Sequence, residues 1–312
     1  MAVPVFSARA VREAVSPTEA YEAVRGGFVA YARGEWSMPP KVYVTNYPAG
    51  DFRAMPALGG GQALLKWVTS FPGNPGRGLP TVTGLVLLSD AEDGRLLALL
   101  DAGAVTALRT AAAAVLAADT LARDDASSWA VVGCGANGAE TARMLVARGR
   151  QPVVWDVDRG RRKAVAEDVG AEVAASAEKA LACDVVATVT PGYDVLYGEG
   201  SLRAGQHVSL MGADAPGKAE VAISELRRAR LFCDDWEQAS HGGELAGAVS
   251  GSVVTREEVT DLGMVLSGAA AGRRSASDIT LFDSTGLAIQ DLAIARAAYA
   301  KAPELALARV EL

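Results

Sequence analysis

Apolar residues recur at helical spacing over residues 16–34, with Ser16 placed as N-cap, Pro17 just inside the start and Gly34 at the end. The pattern then shortens to strand-like runs at 41–45, 51–57 and 63–71, separated by Gly and Pro. Runs at 81–88 and 96–100 flank Asp93-Gly94, a hairpin signal. The first hundred residues therefore predict a mixed sheet with a helix. A long apolar helix follows at about 104–122, carrying Thr106, Arg109 and Thr110 near its N-terminal end. The short polar stretch 123–128 is the expected crossing to a second domain.

From Trp129 the pattern changes. Strand-like segments at 129–132, 152–155, 184–188, 207–211 and 230–233 alternate with helical ones such as 139–147 and 159–168. Such alternation predicts a parallel sheet with helices on both faces. The last helix, about 287–302, reads as apolar on one face and is expected to return to the first domain. The predicted class is α/β: a doubly wound Rossmann sheet over residues 125–286, plus a mixed α+β domain over 1–124 completed by 287–312.

Composition narrows the partners. Half the residues are hydrophobic and about a fifth charged, enough for sizeable cores. The formal net charge is −7, and the basic runs at 159–163 and 227–230 are short and read as solvated helix faces. No nucleic-acid partner is expected. Cys134, Cys183 and Cys233 are widely spaced and odd in number, which is neither a disulfide framework nor a zinc pattern. With only His207 and His241 besides, no metal site is expected. The start, Met1-Ala2-Val3-Pro4-Val5, lacks a signal-peptide plan, and the longest apolar stretch, 111–118, is too short to cross a membrane. The expectation is a reduced, cytoplasmic protein with no membrane partner.

Gly133-Cys134-Gly135-Ala136-Asn137-Gly138 follows a predicted strand and opens a predicted helix, the context a dinucleotide fingerprint requires. Gly133 permits the tight turn, Gly135 lets backbone approach a pyrophosphate, and Gly138 allows close helix–strand packing. The unpaired N–H groups at the helix start favour phosphate. Asp156 stands 23 residues after Gly133, at the end of the next strand, where a carboxylate can accept both ribose hydroxyls. It would repel a 2′-phosphate, which favours NAD over NADP, although Arg159 and Arg161 are near enough to leave that choice open. The bland reading is a glycine turn with a capping Asp. Cofactor contacts are thus assigned to Gly133, Gly135, Ala136, Asn137, Gly138 and Asp156, with Thr188 and Thr190 added. Cys134 reads as a small filler, and His207 as a strand residue.

Six blocks in order extend the picture: Met38-Pro39-Pro40-Lys41, residues 50–56 around Phe52-Arg53-Ala54-Met55-Pro56, Lys66-Trp67-Val68, Gly78-Leu79-Pro80-Thr81, residues 106–112 around Arg109-Thr110, and residues 212–218 around Asp214. With them the chain resembles the ornithine cyclodeaminase/mu-crystallin family, and within it the branch of archaeal-type alanine dehydrogenases. The resemblance implies that the first domain binds substrate and dimerises. It implies that Arg53 and Arg109 clamp a carboxylate, that Lys66 sits in the catalytic pocket, and that Asp214 is the catalytic carboxylate. Thr81 is implied as a hydrogen-bonding residue and Thr110 as a pyrophosphate contact delivered from the first domain. Cyclodeaminases carry arginine where this chain has Lys41, which fits the alanine dehydrogenase-like branch better.

Taken without the family, Asp214 is a turn residue before Pro216-Gly217. Arg109, inside an apolar helix, needs an anion from substrate or from a structural Asp. The implied activity is NAD-dependent oxidation of a small L-amino acid: hydride leaves the α-carbon, and Asp214 guides water onto the imine, giving a 2-oxo acid and ammonia. Ornithine cyclodeamination and cyclic ketimine reduction are close alternatives, and a non-catalytic ligand-binding protein is the alternative of another class. The partner set is a small amino or imino acid and a second copy of the chain.

Overall fold

The computed structural model describes residues 2–215 and 217–312; Met1 and Pro216, the latter part of the turn named above, lie outside the described residues. In chain order the elements are β1 (Ala2–Phe6), α1 (Ala8–Ala14), α2 (Pro17–Ala32), β2 (Val42–Asn46), β3 (Gly50–Gly59), β4 (Gln62–Ser70), β5 (Val82–Asp90), β6 (Leu96–Asp101) and α3 (Ala102–Leu121). Then come β7 (Trp129–Val132), α4 (Ala136–Ala147), β8 (Pro152–Trp155), α5 (Arg159–Val169), β9 (Glu172–Val173), α6 (Ala177–Leu181), β10 (Val185–Thr188) and β11 (His207–Leu210). The chain closes with α7 (Ile223–Leu226), β12 (Arg230–Cys233), α8 (Trp236–Gly242), α9 (Ala246–Ser250), β13 (Val259–Asp261), α10 (Leu262–Leu266), β14 (Thr280–Asp283), α11 (Ala288–Ala300) and β15 (Ala308–Glu311).

Two compact units result: Met1–Arg109 with Leu287–Leu312, and Thr110–Gly286. The division falls inside α3, not in the polar stretch 123–128. That stretch is bound into the second unit: Asp184 accepts hydrogen bonds from Ser127 N (2.9 Å) and Ser128 N (3.0 Å) and pairs with Arg123 at 2.5 Å. Polar composition marked solvent exposure there, not a hinge.

The first unit is built on a seven-stranded sheet in the order β15-β1-β6-β5-β4-β3-β2. β1 runs parallel to β6; the other pairs are antiparallel, so the sheet is mixed as the sequence predicts. Ser16 caps α2 through a capping box with Glu19, and Gly34 follows in the left-handed region at φ 72°. Strand alternation sorts the two faces. Met55, Leu64, Lys66, Val68, Val86 and Leu88 point inward, while Leu65 and Trp67 stand out at 40% and 41% exposure. α11 packs against α2 and against β3 and β4. Its first two turns are buried on every side, correcting the one-faced reading: a helix held between a helix and a sheet has no solvent face.

The second unit carries an eight-stranded sheet, all parallel, in the order β13-β12-β14-β11-β10-β7-β8-β9. Strand order reverses between β7 and β10, where ligands bind in sheets of this type. α3 is twenty residues long and, among the described residues, the one helix apolar and long enough to cross a membrane; 83% of that stretch is buried. The stretch is longer than the 111–118 run alone, and its apolar character is that of a core helix.

Candidate functional site

Lys66 lies mid-strand on β4, facing inward, opposite Met55 and Val86 on the neighbouring strands. It is 1% exposed. Its Nζ stands 2.6 Å from Asp291 Oδ2 and donates to Thr106 Oγ1 at 3.3 Å. Burial pushes the ammonium down to about 7; the Asp291 charge opposes this, while Arg109 and Lys41 add to it. Arg109, on α3, places Nε 3.5 Å from Asp291 Oδ1 and donates from Nη1 to Gln290 Oε1 at 3.4 Å. Asp291 thus places a structural anion beside the largely buried Arg109 side chain, one of the two sources left open by sequence. Asp291 and Gln290 are the residues the motif reading missed. A signal existed: Asp291 is the lone carboxylate of an apolar helix, and such a charge needs partners.

Arg53 faces inward on β3, but its guanidinium already binds Asp51 at both ends: Nε to Oδ1 at 2.6 Å and Nη2 to Oδ2 at 3.2 Å. It also lies over the Tyr43 ring at 5.3 Å. Residues two apart on a strand share a face, so the Asp51-Phe52-Arg53 spacing makes this pair. The guanidinium that the resemblance assigns to a substrate carboxylate is paired here with Asp51. Thr81 is half-buried just before β5, and its carbonyl accepts from Phe71 N at 2.8 Å.

In the second unit the glycine turn joins β7 to α4. Gly133 has φ 102°, and a Cβ there would come 2.5 Å from Val189 O. A Cβ on Gly138 would come 1.8 Å from Gly133 O, so only glycine lets α4 start against the turn. Beside Gly135, by contrast, there is open space, and no side chain caps the helix start at Ala136 and Asn137. Asp156 follows β8 and is buried; its Oδ2 accepts from Cys134 N at 2.7 Å and its Oδ1 from Asp158 N at 2.8 Å. It thus braces the turn. Arg162 stacks on Trp155 at 4.0 Å and donates to the Asp156 carbonyl, while Arg161 pairs with Asp158 at 3.5 Å. The Thr110 hydroxyl is buried without a hydrogen-bond partner. Thr110 begins this unit and does not belong to the first one. An open glycine turn at the reversal of strand order, a carboxylate after the next strand and an orphaned hydroxyl fit a dinucleotide. Burial pushes the Cys134 thiol up to about 12, in keeping with a filler.

Thr188 does not fit a side-chain contact to a cofactor. It is fully buried, and its hydroxyl donates to Glu220 Oε2 at 2.6 Å. Thr190 donates to Glu220 Oε1, also at 2.6 Å. Glu220 is a further residue the sequence did not flag, since nothing in its neighbourhood repeats a known spacing. Asp214 lies after β11, with Lys218 Nζ 2.6 Å from Oδ1. Lys218 also lies over the Tyr193 ring at 5.2 Å and is 14% exposed, so it is a structural partner of Asp214. His207 is buried between Thr280 Oγ1 (2.9 Å) and Ser209 Oγ (3.0 Å) as a strand residue. Among the described residues no cluster of His, Cys, Asp and Glu could hold a metal.

Comparison with known proteins agrees with this layout. An alanine dehydrogenase of Archaeoglobus fulgidus is 42% identical over 306 residues, covering 96% of this chain and 94% of that protein. The solved structure of an archaeal alanine dehydrogenase dimer with bound NAD superposes with a TM-score of 0.94 at 39% identity, covering all of both chains. A Delta(1)-pyrroline-2-carboxylate reductase of Thermococcus litoralis, in complex with NADH and L-proline, superposes at 0.92 with 25% identity over 99% of this chain and all of that one. The family model for ornithine cyclodeaminase/mu-crystallin matches residues 3–305, nearly the whole chain, and the chain belongs to the ornithine cyclodeaminase/mu-crystallin family.

Proposed function

We propose that the protein is an NAD-dependent oxidoreductase acting on the C–N bond of a small L-amino or imino acid, in the manner of an alanine dehydrogenase. The reaction is amino acid, NAD⁺ and water to 2-oxo acid, ammonium, NADH and a proton. The observation that carries this reading is the full-length likeness to the NAD-bound archaeal alanine dehydrogenase. Lys41, where cyclodeaminases have arginine, supports the same branch.

NAD, held by the 133–138 turn and by Asp156, supplies the hydride acceptor. The chain's own groups do the rest. Lys66 and Arg109 offset the substrate carboxylate, with Thr81 as a further hydrogen-bonding residue. A Lys66 ammonium that titrates near 7 can hold a proton toward the reacting group and release it at neutral pH. Asp214 takes up and returns protons at the amine nitrogen and at the attacking water. Arg53, tied to Asp51, lies on β3 beside Lys66's strand.

The reading includes a homodimer formed through the outward face of the first unit's sheet. Val42 (58% exposed), Val44 (53%), Leu65, Trp67 and Leu85 lie on paired strands of that face, and such a run of exposed apolar side chains suits a partner. The NAD-bound relative is a dimer. Trp67→Glu is expected to yield a monomer by light scattering; a monomeric unsubstituted protein refutes the dimer.

The activity is tested by following NADH absorbance. Oxidation with pyruvate and ammonium, and reduction of NAD with L-alanine, support the dehydrogenase. Ammonia release from ornithine without net NADH accumulation indicates a cyclodeaminase. Reduction of a cyclic imine alone indicates a ketimine reductase. Tight binding of a small ligand with no turnover indicates a binding protein.

A further inference from the structure

Asp291 is fully buried, and it stands between two cations of the first unit, Lys66 and Arg109. Oδ2 is 2.6 Å from Lys66 Nζ and Oδ1 is 3.5 Å from Arg109 Nε. No neutral donor reaches either oxygen, so the partners of Asp291 are the two cations. A carboxylate placed for stability is ordinarily saturated by N–H or O–H donors. Here backbone and hydroxyl donors are missing, and the two cations offset the cost of burying the charge. The preceding Gln290 accepts from Leu287 N at 3.2 Å and so fixes the start of α11, which sets where Asp291 points.

We propose that Asp291 is a positioning residue, whose two oxygens hold the Lys66 ammonium and the Arg109 guanidinium and fix the charge with which Lys66 meets the substrate. The proposal rests on the functional reading above. The groups facing Lys66 are Asp291 from α11, Arg109 and the neutral Thr106 from α3, and Lys41 ahead of β2. Burial and two cations favour the neutral amine; one carboxylate opposes them. Without that carboxylate Lys66 is an uncharged amine at neutral pH and no longer offsets an anionic substrate.

The test is Asp291→Asn, nearly the same shape without the charge. Lys66 is titrated by ¹⁵N-lysine NMR, its signal assigned with Lys66→Met. The midpoint is expected to fall by roughly one pH unit or more relative to the unsubstituted protein. The alkaline limb of the kcat/KM profile is expected to fall with it. An unmoved midpoint overturns the proposal, and so does lower thermal stability with both titrations in place. Asp291→Glu keeps the charge and is expected to keep the midpoint near 7. If Asp291→Asn does not fold, the unsubstituted and Asp291→Glu proteins decide: both near 7 supports the proposal, and either in the ordinary lysine range near 10.5 overturns it. The NMR titration needs no turnover. A protein inactive on every amino and imino acid would therefore refute the functional reading, while Asp291 is still judged by the Lys66 midpoint.

Discussion

The first unit buries Asp291 between two cations; the second buries a group of carboxylates, Glu220, Glu244, Asp234 and Asp283, held mainly by neutral hydrogen-bond donors. Around Asp291 the partners are Lys66 and Arg109. In the second unit Glu220 takes hydrogen bonds from Thr188, Thr190 and Gly212 N, and Glu244 takes them from Glu220 N and Val221 N. Asp234 accepts from Gly286 N and Ser284 Oγ, and Asp283 from Leu245 N. Burial pushes Glu244 up to about 7, Glu220 upward, and Asp283 well above the ordinary carboxylate range. One cluster holds full charges with few hydrogen bonds, and its lysine changes protonation near neutrality. The other is a web of hydrogen bonds that ties loops at the ends of parallel strands. The difference teaches that buried ionisable groups divide by their partners: carboxylates held by neutral donors make scaffold, and a carboxylate held by cations sets the charge of groups that can meet a substrate.

The largest effect expected from breaking this contrast is at Lys66. Lys66→Met removes a cation the first cluster cannot replace and should lower kcat/KM by about a thousandfold, roughly 4 kcal/mol. It also strands the Asp291 charge, so a loss of stability of about 3 kcal/mol is expected beside it. Steady-state kinetics with NADH, pyruvate and ammonium, together with urea unfolding, measure both. Activity within tenfold of the unsubstituted protein would make Lys66 scaffold and erase the contrast.

Glu220 tests the other side. Glu220→Ala leaves two hydroxyls and the Gly212 N–H without their acceptor and should destabilise the protein by about 3 kcal/mol in urea unfolding. Glu220→Gln keeps an acceptor oxygen in place and should cost less, about 1 kcal/mol. Both variants are expected to keep most of their turnover at a temperature where they are folded. A Glu220→Gln protein of normal stability and lost activity would place this cluster with the chemistry.

Much of this architecture was legible in the chain. The sixteen-residue α2 carries its own cap and stop, and the glycine turn is forced by steric limits that only glycine meets, so local rules sufficed there. The short strands of the second unit were legible because parallel strands covered on both faces read as apolar runs. What escaped were relations between distant residues. Lys66 and Asp291 are brought together by α11 packing on the first sheet, a tertiary fact with no local trace. The resemblance assigns Arg53 to a substrate carboxylate and is silent on its neighbour, although Asp51 on the same face is within reach of the period-two argument. Thr188 is among the residues assigned to the cofactor; only the placement of Glu220 shows that its hydroxyl is already committed.

The smallest effect concerns His207, which sharpens what scaffold means in the second unit. Its ring is buried on β11 between two hydroxyls, and burial pushes it down to about 3, with Arg273 adding to the shift. The unfolded chain has an ordinary histidine near 6.5, so it binds a proton that the folded state refuses between about 6.5 and 3. The stability that neutral His207 contributes is thus fully present above 6.5 and is lost as pH falls through that window. The buried carboxylates run the other way, since their raised values favour the folded state in acid, but they are common to both proteins compared. Subtracting unfolding free energies of His207→Gln from those of the unsubstituted protein isolates the histidine. That difference should narrow by about 1.4 kcal/mol between pH 8 and pH 5.5. A difference constant across this range would mean that the ring accepts a proton inside the sheet, and the web around it would then be a site that titrates, like the one around Lys66.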